Sequence, residues 1–276
     1  MRGYLRRLTS VGYGWIFVLW IYLSTSWRFW YWRIQLWRSQ THTAESTHTD
    51  MKQTLLLIRH GQTTWNVERR LPGQLPGITL DDKGREQVAR LADALTVLPI
   101  SAIISSPLER ARDTAEILAQ GRGLCVQFEP ELMDTNIGRW AGKIYDDLNK
   151  NDPEWKAYVH DPTVAPEGVE TFPQVQQRAV AAVERWRTRE ATGAYPAFVA
   201  HADVVKVLIA YYTGLDAGRA GSLFIDNASV SLVEVDTESA HQKQVIAIGW
   251  SPRPGWLKPP TPEQPKGEVV QDEEQK

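Results

Sequence analysis

Leu55-Leu56-Leu57-Ile58 is an unbroken apolar run closed by the polar pair Arg59-His60. A run without alternation predicts a short strand buried on both faces, as in a parallel sheet. The pattern returns at Ala102-Ile103-Ile104 and at Ala197-Phe198-Val199-Ala200, with strand-like stretches over residues 229–235 and 245–249. Between these runs the period changes. Val88, Leu91, Ala92, Leu95 and Leu98 recur at helical spacing and predict one apolar helix face. Val175, Ala179, Val183 and Trp186 predict a second helix, and residues 204–212 a third. Strand and helix patterns that alternate over residues 54–249 predict an α/β fold built on a parallel sheet.

Polar residues mark where the helices begin. Thr79 with Asp82 reads as a capping box. Ser106-Pro107-Leu108-Glu109 offers an N-cap serine, a proline at the first helical position and a glutamate three residues on, which puts Arg110 in the first turn. Thr171-Phe172-Pro173-Gln174 repeats the device. His60, Arg110 and His201 then each stand at or just past the carboxyl end of a predicted strand, the edge at which open α/β sheets bind ligands. Gly61 is expected to let the backbone turn sharply and approach a ligand closely. Taken singly, each residue has a packing explanation: a strand-end histidine with satisfied hydrogen bonds, or a helix arginine in solvent. Together they deliver a nucleophilic imidazole and a phosphate-matching guanidinium to one sheet edge, which points to phosphoryl chemistry.

Composition narrows the options. The 276 residues suit one large α/β domain or two small ones. A formal charge of −2 argues against a nucleic-acid partner. Cys125 is the sole cysteine, so an intrachain disulfide framework and a thiolate metal cluster are excluded, and a cytoplasmic location is the default. A sharp break falls at residue 50. Residues 1–50 hold six of the twelve tryptophans and six Arg against Glu45 and Asp50. This segment is expected to be either a weak membrane anchor, with an apolar stretch over residues 11–27 marginal for a span, or a mis-assigned start preceding translation from Met51. The catalytic domain is then 51–250. Residues 251–276, rich in Pro, Glu, Gln and Lys, are expected to form a disordered tail.

Several motifs resemble the histidine phosphatase superfamily, in its phosphoglycerate-mutase-like branch. They are Arg59-His60-Gly61-Gln62-Thr63-Thr64-Trp65-Asn66, then Thr79-Leu80 with Gly84, and Ser105-Ser106-Pro107-Leu108-Glu109-Arg110-Ala111. Leu132-Met133-Asp134 with Gly138-Arg139-Trp140-Ala141-Gly142, Val199-Ala200-His201 and Asp226-Asn227-Ala228-Ser229 complete the set, over roughly residues 53–235. The resemblance implies a three-layer α/β/α fold with a mostly parallel central sheet. It implies that His60 becomes a phosphohistidine while Arg59, Arg110 and His201 hold the phosphoryl group, with Gln62, Thr63 and Asn66 as further substrate-binding residues. Neither a metal nor another cofactor is implied. His60 must present one free ring nitrogen, so its other nitrogen is expected to donate to a backbone carbonyl.

Two departures stand out. Asp134 occupies the place where many relatives carry a glutamate proton donor; either carboxyl can protonate a leaving oxygen and later activate water. Ala202-Asp203 follows His201 where many relatives have glycine, which makes Asp203 the second candidate acid. Glu131 is a weaker competitor, and Glu170, in Gly168-Val169-Glu170-Thr171, is a candidate for lining the pocket. His42, His48, His160 and His241 read as surface residues. The stretch 143–168 is short and has six acids against three lysines, which favours access of water. The expected activity is metal-independent hydrolysis of a small phosphorylated metabolite. A cofactor-dependent mutase is the alternative, and a non-catalytic phosphoester-binding module the third reading. A homodimer stays open, and a membrane partner depends on residues 1–50.

Overall fold

A computed structural model describes residues 52–236 and 243–252. The expectations for residues 1–50, for His241 and for most of the tail therefore lie outside the described residues. In chain order the elements are β1 (Lys52–Arg59), α1 (Thr64–Val67), α2 (Asp82–Ala94), β2 (Ala102–Ser105), α3 (Glu109–Ala119) and β3 (Val126–Phe128). There follow α4 (Tyr145–Asn151), α5 (Pro153–His160), α6 (Phe172–Arg187), β4 (Pro196–Ala200), α7 (Ala202–Thr213), β5 (Val230–Asp236) and β6 (Lys243–Trp250). The strands form one sheet in the order β3-β2-β4-β1-β5-β6. Its β3-β2-β4-β1 portion is parallel, and β5 and β6 join by antiparallel pairing.

Both faces of the sheet are covered, which is why the central strands read as continuous apolar runs. Leu55 and Leu57 face a core with Val175, Ala179 and Val183 of α6 and Val204 and Leu208 of α7. Leu56 and Ile58 face the opposite core, with Val88 and Leu91 of α2 and Ala111 and Ala115 of α3. The result is the expected three-layer arrangement. A third cluster, with Ile137, Trp140, Leu148, Trp155 and Tyr158, holds α4 and α5 as a separate cap over residues 137–169.

Strand order places the chemistry. β1 and β4 are parallel neighbours with Arg59 opposite Ala200, so their first residues past the strand, His60 and His201, emerge side by side. β2 is the other neighbour of β4, and the helix after it carries Arg110 to the same edge.

Local details differ from expectation in three places. The cap of α2 is Asp81, whose side chain accepts from Gly84 N at 2.6 Å, rather than Thr79 paired with Asp82. Helix α3 begins at Glu109, two residues later than a Ser106 cap would put it, and Ser106 Oγ instead accepts from Leu108 N at 3.3 Å. Arg110 still falls in the first turn. The Thr171–Gln174 capping box of α6 forms as expected.

The third difference concerns Gly61. Its nearest demand is packing: a Cβ there would sit 2.8 Å from Gly84 O and 2.8 Å from Val88 Cγ2, both on α2. Gly84 is the reciprocal case, since its Cβ would sit 2.1 Å from Gln62 O. The glycine pair lets the strand-end loop lie directly on the helix.

Candidate active site

His60 is 3% exposed at the end of β1, and its Nδ1 lies 2.7 Å from Gly61 O. A carbonyl oxygen only accepts, so Nδ1 carries the proton and the Nε2 lone pair is left free. The loop that fixes this geometry is itself tied down. Gly61 N donates to Thr114 Oγ1 at 3.1 Å, and Thr114 Oγ1 donates to Arg110 O at 2.8 Å. Asn227 Nδ2 reaches His60 O, Gly61 O and Asn66 Oδ1 at 3.1–3.3 Å.

His201 begins α7 with its ring centroid 5.2 Å from that of His60, edge to face. Its Nε2 lies 2.9 Å from Ser106 Oγ, while Nδ1 is buried without a partner, 3.7 Å from Asp134 Oδ2. Burial holds both histidines well below the ordinary imidazole value of 6.5, and the Arg110 charge presses in the same direction. Both rings are therefore neutral at pH 7.

Arg110 has no exposed surface. Its Nη2 donates to Gly73 O at 2.7 Å and to Asp134 Oδ2 at 3.0 Å, while Nε and Nη1 have no partner. Arg59 Nη1 donates to Ile225 O at 2.7 Å, and its buried Nε is likewise unpartnered. Unpaired buried N–H groups are costly. Three of them on two guanidiniums, next to a neutral imidazole pair, form a pocket that can be satisfied by the oxygens of an anion. Asp134 completes the group with a side chain 15% exposed. Its pKa is raised by burial, against the pull of Arg110 and with help from the nearby Asp203 charge.

A cavity of about 320 Å³ opens over this group. Arg59, His60, Asn66, Asp134 and Asp203 line it, together with Trp65, Arg69, Arg70 and, from the cap, Tyr145, Trp155 and Tyr158. Arg110 and His201 lie fully buried beneath it, in contact with the lining through Asp134 and His60. Asn66 Oδ1 accepts from Thr63 N, Thr63 Oγ1 and Asn227 Nδ2, which leaves its own amide to donate. Asp203, in the first turn of α7, is paired with Lys206 Nζ at 3.2 Å.

Three candidates are placed elsewhere. Gln62 donates to Asp81 Oδ2 at 3.0 Å and braces the loop against α2. The Thr63 hydroxyl is spent on the capping box of α1. Glu170 does not line the cavity: Arg178 grips it at 2.7 and 2.9 Å, and it accepts from Asn136 N at 2.7 Å. Each side chain is already engaged by a protein partner. Glu131 and His160 are exposed. Arg178 carried no sequence signal, and Ser106, Thr114 and Asn227, which lie in or beside the quoted motifs, act through contacts to distant segments that the motifs do not disclose. Among the described residues no group of three or more His, Cys, Asp or Glu is placed to hold a metal ion, and no helix is long and apolar enough to cross a membrane.

Comparison with known proteins places the chain in a family. The family model of the histidine phosphatase superfamily (branch 1) matches residues 55–247. The protein named probable phosphoglycerate mutase GpmB of Shigella boydii serotype 18 is 35% identical over 198 residues, 70% of this chain and 88% of that protein. Among solved structures, Bacillus stearothermophilus YhfR is similar with a TM-score of 0.66 and 34% identity, covering 71% of this chain and 96% of that one. A mycobacterial glucosyl-3-phosphoglycerate phosphatase in complex with VO3 gives a TM-score of 0.65 and 30% identity, covering 72% of this chain and 100% of that one.

Proposed function

The chain belongs to branch 1 of the histidine phosphatase superfamily, and from that premise we propose that it hydrolyses small phosphomonoesters through a phosphohistidine on His60. One observation carries the reading. His60 has its Nδ1 committed to Gly61 O, so a free Nε2 faces the site beside unpartnered nitrogens of Arg59, Arg110 and His201.

In the first step Nε2 of neutral His60 attacks phosphorus as the bond to the ester oxygen breaks. The carboxyl proton of Asp134 passes to that oxygen and the alcohol leaves. The raised pKa of Asp134 suits this role, and an arriving phosphate dianion raises it further. Water then attacks the phosphohistidine and gives its proton to the Asp134 carboxylate. The P–N bond breaks, phosphate leaves and His60 returns to the neutral form. Charge building on the phosphoryl oxygens is met by Arg59, Arg110 and His201, with Asn66 as an additional donor. Two displacements through a covalent intermediate are each easier than one direct transfer.

Hydrolysis is preferred to phosphoryl return because the stretch 143–168, which contributes Tyr145, Trp155 and Tyr158 to the cavity wall, is short and holds six acids against three lysines, a poor match for a second anionic group on the substrate. The mutase reading has two points in its favour: the name of the curated relatives, and Arg69 and Arg70 on the same wall. Wild type and His60→Ala are compared on an aryl phosphate with chelator present, and labelled enzyme is trapped with alkali after acid-free quench. Turnover and an alkali-stable, acid-labile phosphoprotein in wild type alone are expected; equal turnover in the variant removes His60 as nucleophile. Isomerisation of 3-phosphoglycerate outrunning phosphate release, with bisphosphorylated primer supplied, establishes the mutase instead.

A further inference from the structure

We infer that Arg178, oriented by Glu170, is the positioning residue that holds the Asp134 carboxyl at the reacting phosphate, an inference that rests on Asp134 being the acid/base. Arg178 projects from α6 toward the loop that carries Asp134. All three guanidinium nitrogens are used. Nη1 donates to Glu131 O at 2.6 Å and to Met133 O at 2.8 Å, and Nη2 to Asp134 O at 3.0 Å. Nε and Nη2 close on the Glu170 carboxylate at 2.7 and 2.9 Å. One planar fork thus gathers three carbonyls of a four-residue stretch.

Glu170 does more than neutralise the arginine. Its Oε2 accepts from Asn136 N at 2.7 Å, and its backbone N donates to Asn136 O at 2.8 Å. The loop is therefore held on both sides of Asp134, at residues 131–134 by Arg178 and at residue 136 by Glu170. Gln74 adds a second donor to Asp134 O at 2.8 Å. The Asp134 side chain is left to meet Arg110 at 3.0 Å and to face the cavity.

This arrangement answers a problem that the short side chain creates. Aspartate has one rotatable bond fewer than glutamate between backbone and carboxyl, so its carboxyl position follows the backbone closely. A loop free to drift by an ångström would carry the proton out of reach of the leaving oxygen. Lysine at position 178 could supply the charge but not the planar fork that spans three carbonyls and a carboxylate.

Proton donation matters most when the leaving oxygen is basic, which gives a readout that loss of folding does not mimic. The ratio of kcat/KM for glycerol phosphate to that for 4-nitrophenyl phosphate is measured in wild type, Arg178→Gln, Arg178→Lys, Glu170→Gln and Asp134→Asn. Since a positioned acid contributes roughly 100-fold or more, Asp134→Asn should lower the ratio by about that factor and Arg178→Gln by roughly 30-fold. Arg178→Lys should stay closer to Arg178→Gln than to wild type. Glu170→Gln, which keeps the arginine, should lower the ratio several-fold and serves alone if the Arg178 variants do not fold. Adding Arg178→Gln to Asp134→Asn should lower it no further. An equal loss on both esters in the Arg178 and Glu170 variants, or additive losses in the double variant, overturns the inference while leaving Asp134 as the acid. An unchanged ratio in Asp134→Asn removes that acid assignment and this inference with it, yet leaves His60 chemistry standing on its own test.

Discussion

Gly61→Ala adds one methyl group beside the nucleophile and separates two explanations for a glycine there. If the glycine exists so that substrate can approach the backbone, the variant keeps its stability and loses only phosphate affinity. If it exists because the loop lies on α2, the free enzyme is destabilised before any ligand is present. The geometry favours the second. The new Cβ would stand 2.8 Å from Gly84 O, a backbone atom of a packed helix, and 2.8 Å from Val88 Cγ2, whose side chain is fully buried. Neither neighbour can swing away, and overpacking of this kind costs about 1–3 kcal/mol. For a domain of roughly 200 residues that corresponds to a fall in Tm of about 2–12 °C. His60 Nδ1 is bonded to the same residue's carbonyl, so a loop displaced by a few tenths of an ångström also turns the imidazole. A loss of roughly tenfold to 100-fold in kcat/KM should accompany the stability loss. Calorimetry without phosphate, followed by aryl phosphate kinetics, tests both. Gly84→Ala, with its Cβ 2.1 Å from Gln62 O, should be more severe. A Gly61→Ala enzyme that melts within a degree of wild type refutes the packing explanation.

Arg110→Lys keeps the charge but loses the fork, and should reduce kcat/KM by about 100- to 1,000-fold with little change in fold, as judged by circular dichroism; activity within threefold of wild type would remove Arg110 from the phosphoryl pocket. Stability should also depend on pH in a way set by the two histidines. Their folded pKa values lie below the ordinary 6.5, so the unfolded chain binds more protons, and their contribution is complete above about pH 6.5 and lost as pH falls through the folded values. Asp134 works in the opposite sense: its raised value adds stability below about pH 3.8 that is lost as pH rises through the folded value. Melting His60→Ala between pH 7 and 5 should show an acid slope shallower than wild type by up to about 1.4 kcal/mol per pH unit, and an identical slope would contradict neutral burial of His60. Asn227→Ala removes the amide that bridges His60 O, Gly61 O and Asn66 Oδ1, and should lower kcat about tenfold while Tm drops by a few degrees; unchanged kinetics would show that the loop holds itself.

What could be read along the chain, and what could not, follows from the range of the interactions. Leu55-Leu56-Leu57-Ile58 and Ala197-Phe198-Val199-Ala200 are legible because burial on both faces leaves no polar position, and the first polar residue after each run marks the sheet edge. β3 left no such mark: it is three residues long, at the sheet edge, with Gln127 and Phe128 exposed. The cap was equally hidden, because Leu148, Trp155 and Tyr158 bury themselves against Ile137 and Trp140 rather than against the sheet, and two short helices leave too few turns for a period. Glu170 and Gln62 looked like pocket residues from their place beside site motifs. Proximity in sequence could not reveal that Arg178 and Asp81 hold them.

The same distinction separates the reacting groups from those that aim them. His60, Arg110 and His201 each follow a strand by a few residues, so strand pairing alone brings them together. The groups that set their orientation come from far away: Thr114 lies 53 residues from Gly61, Ser106 lies 95 from His201, and Asn227 lies 167 from His60. None of these bonds leaves a periodicity, since each needs only one hydroxyl or amide at one point. A site of this kind can keep its strand-end residues and still lose its geometry through a single substitution elsewhere. Arg59 closes β1 and Arg110 opens α3, and Ile58, Ala111 and Ala115 of these two elements are packed in one core, so moving the unpaired guanidinium nitrogens toward water would require that close packing to give. Rigid packing on both faces of the sheet is therefore a condition of the phosphoryl pocket, and loosening the Val88 or Val204 side of the core should weaken phosphate binding without touching any residue that meets the phosphate.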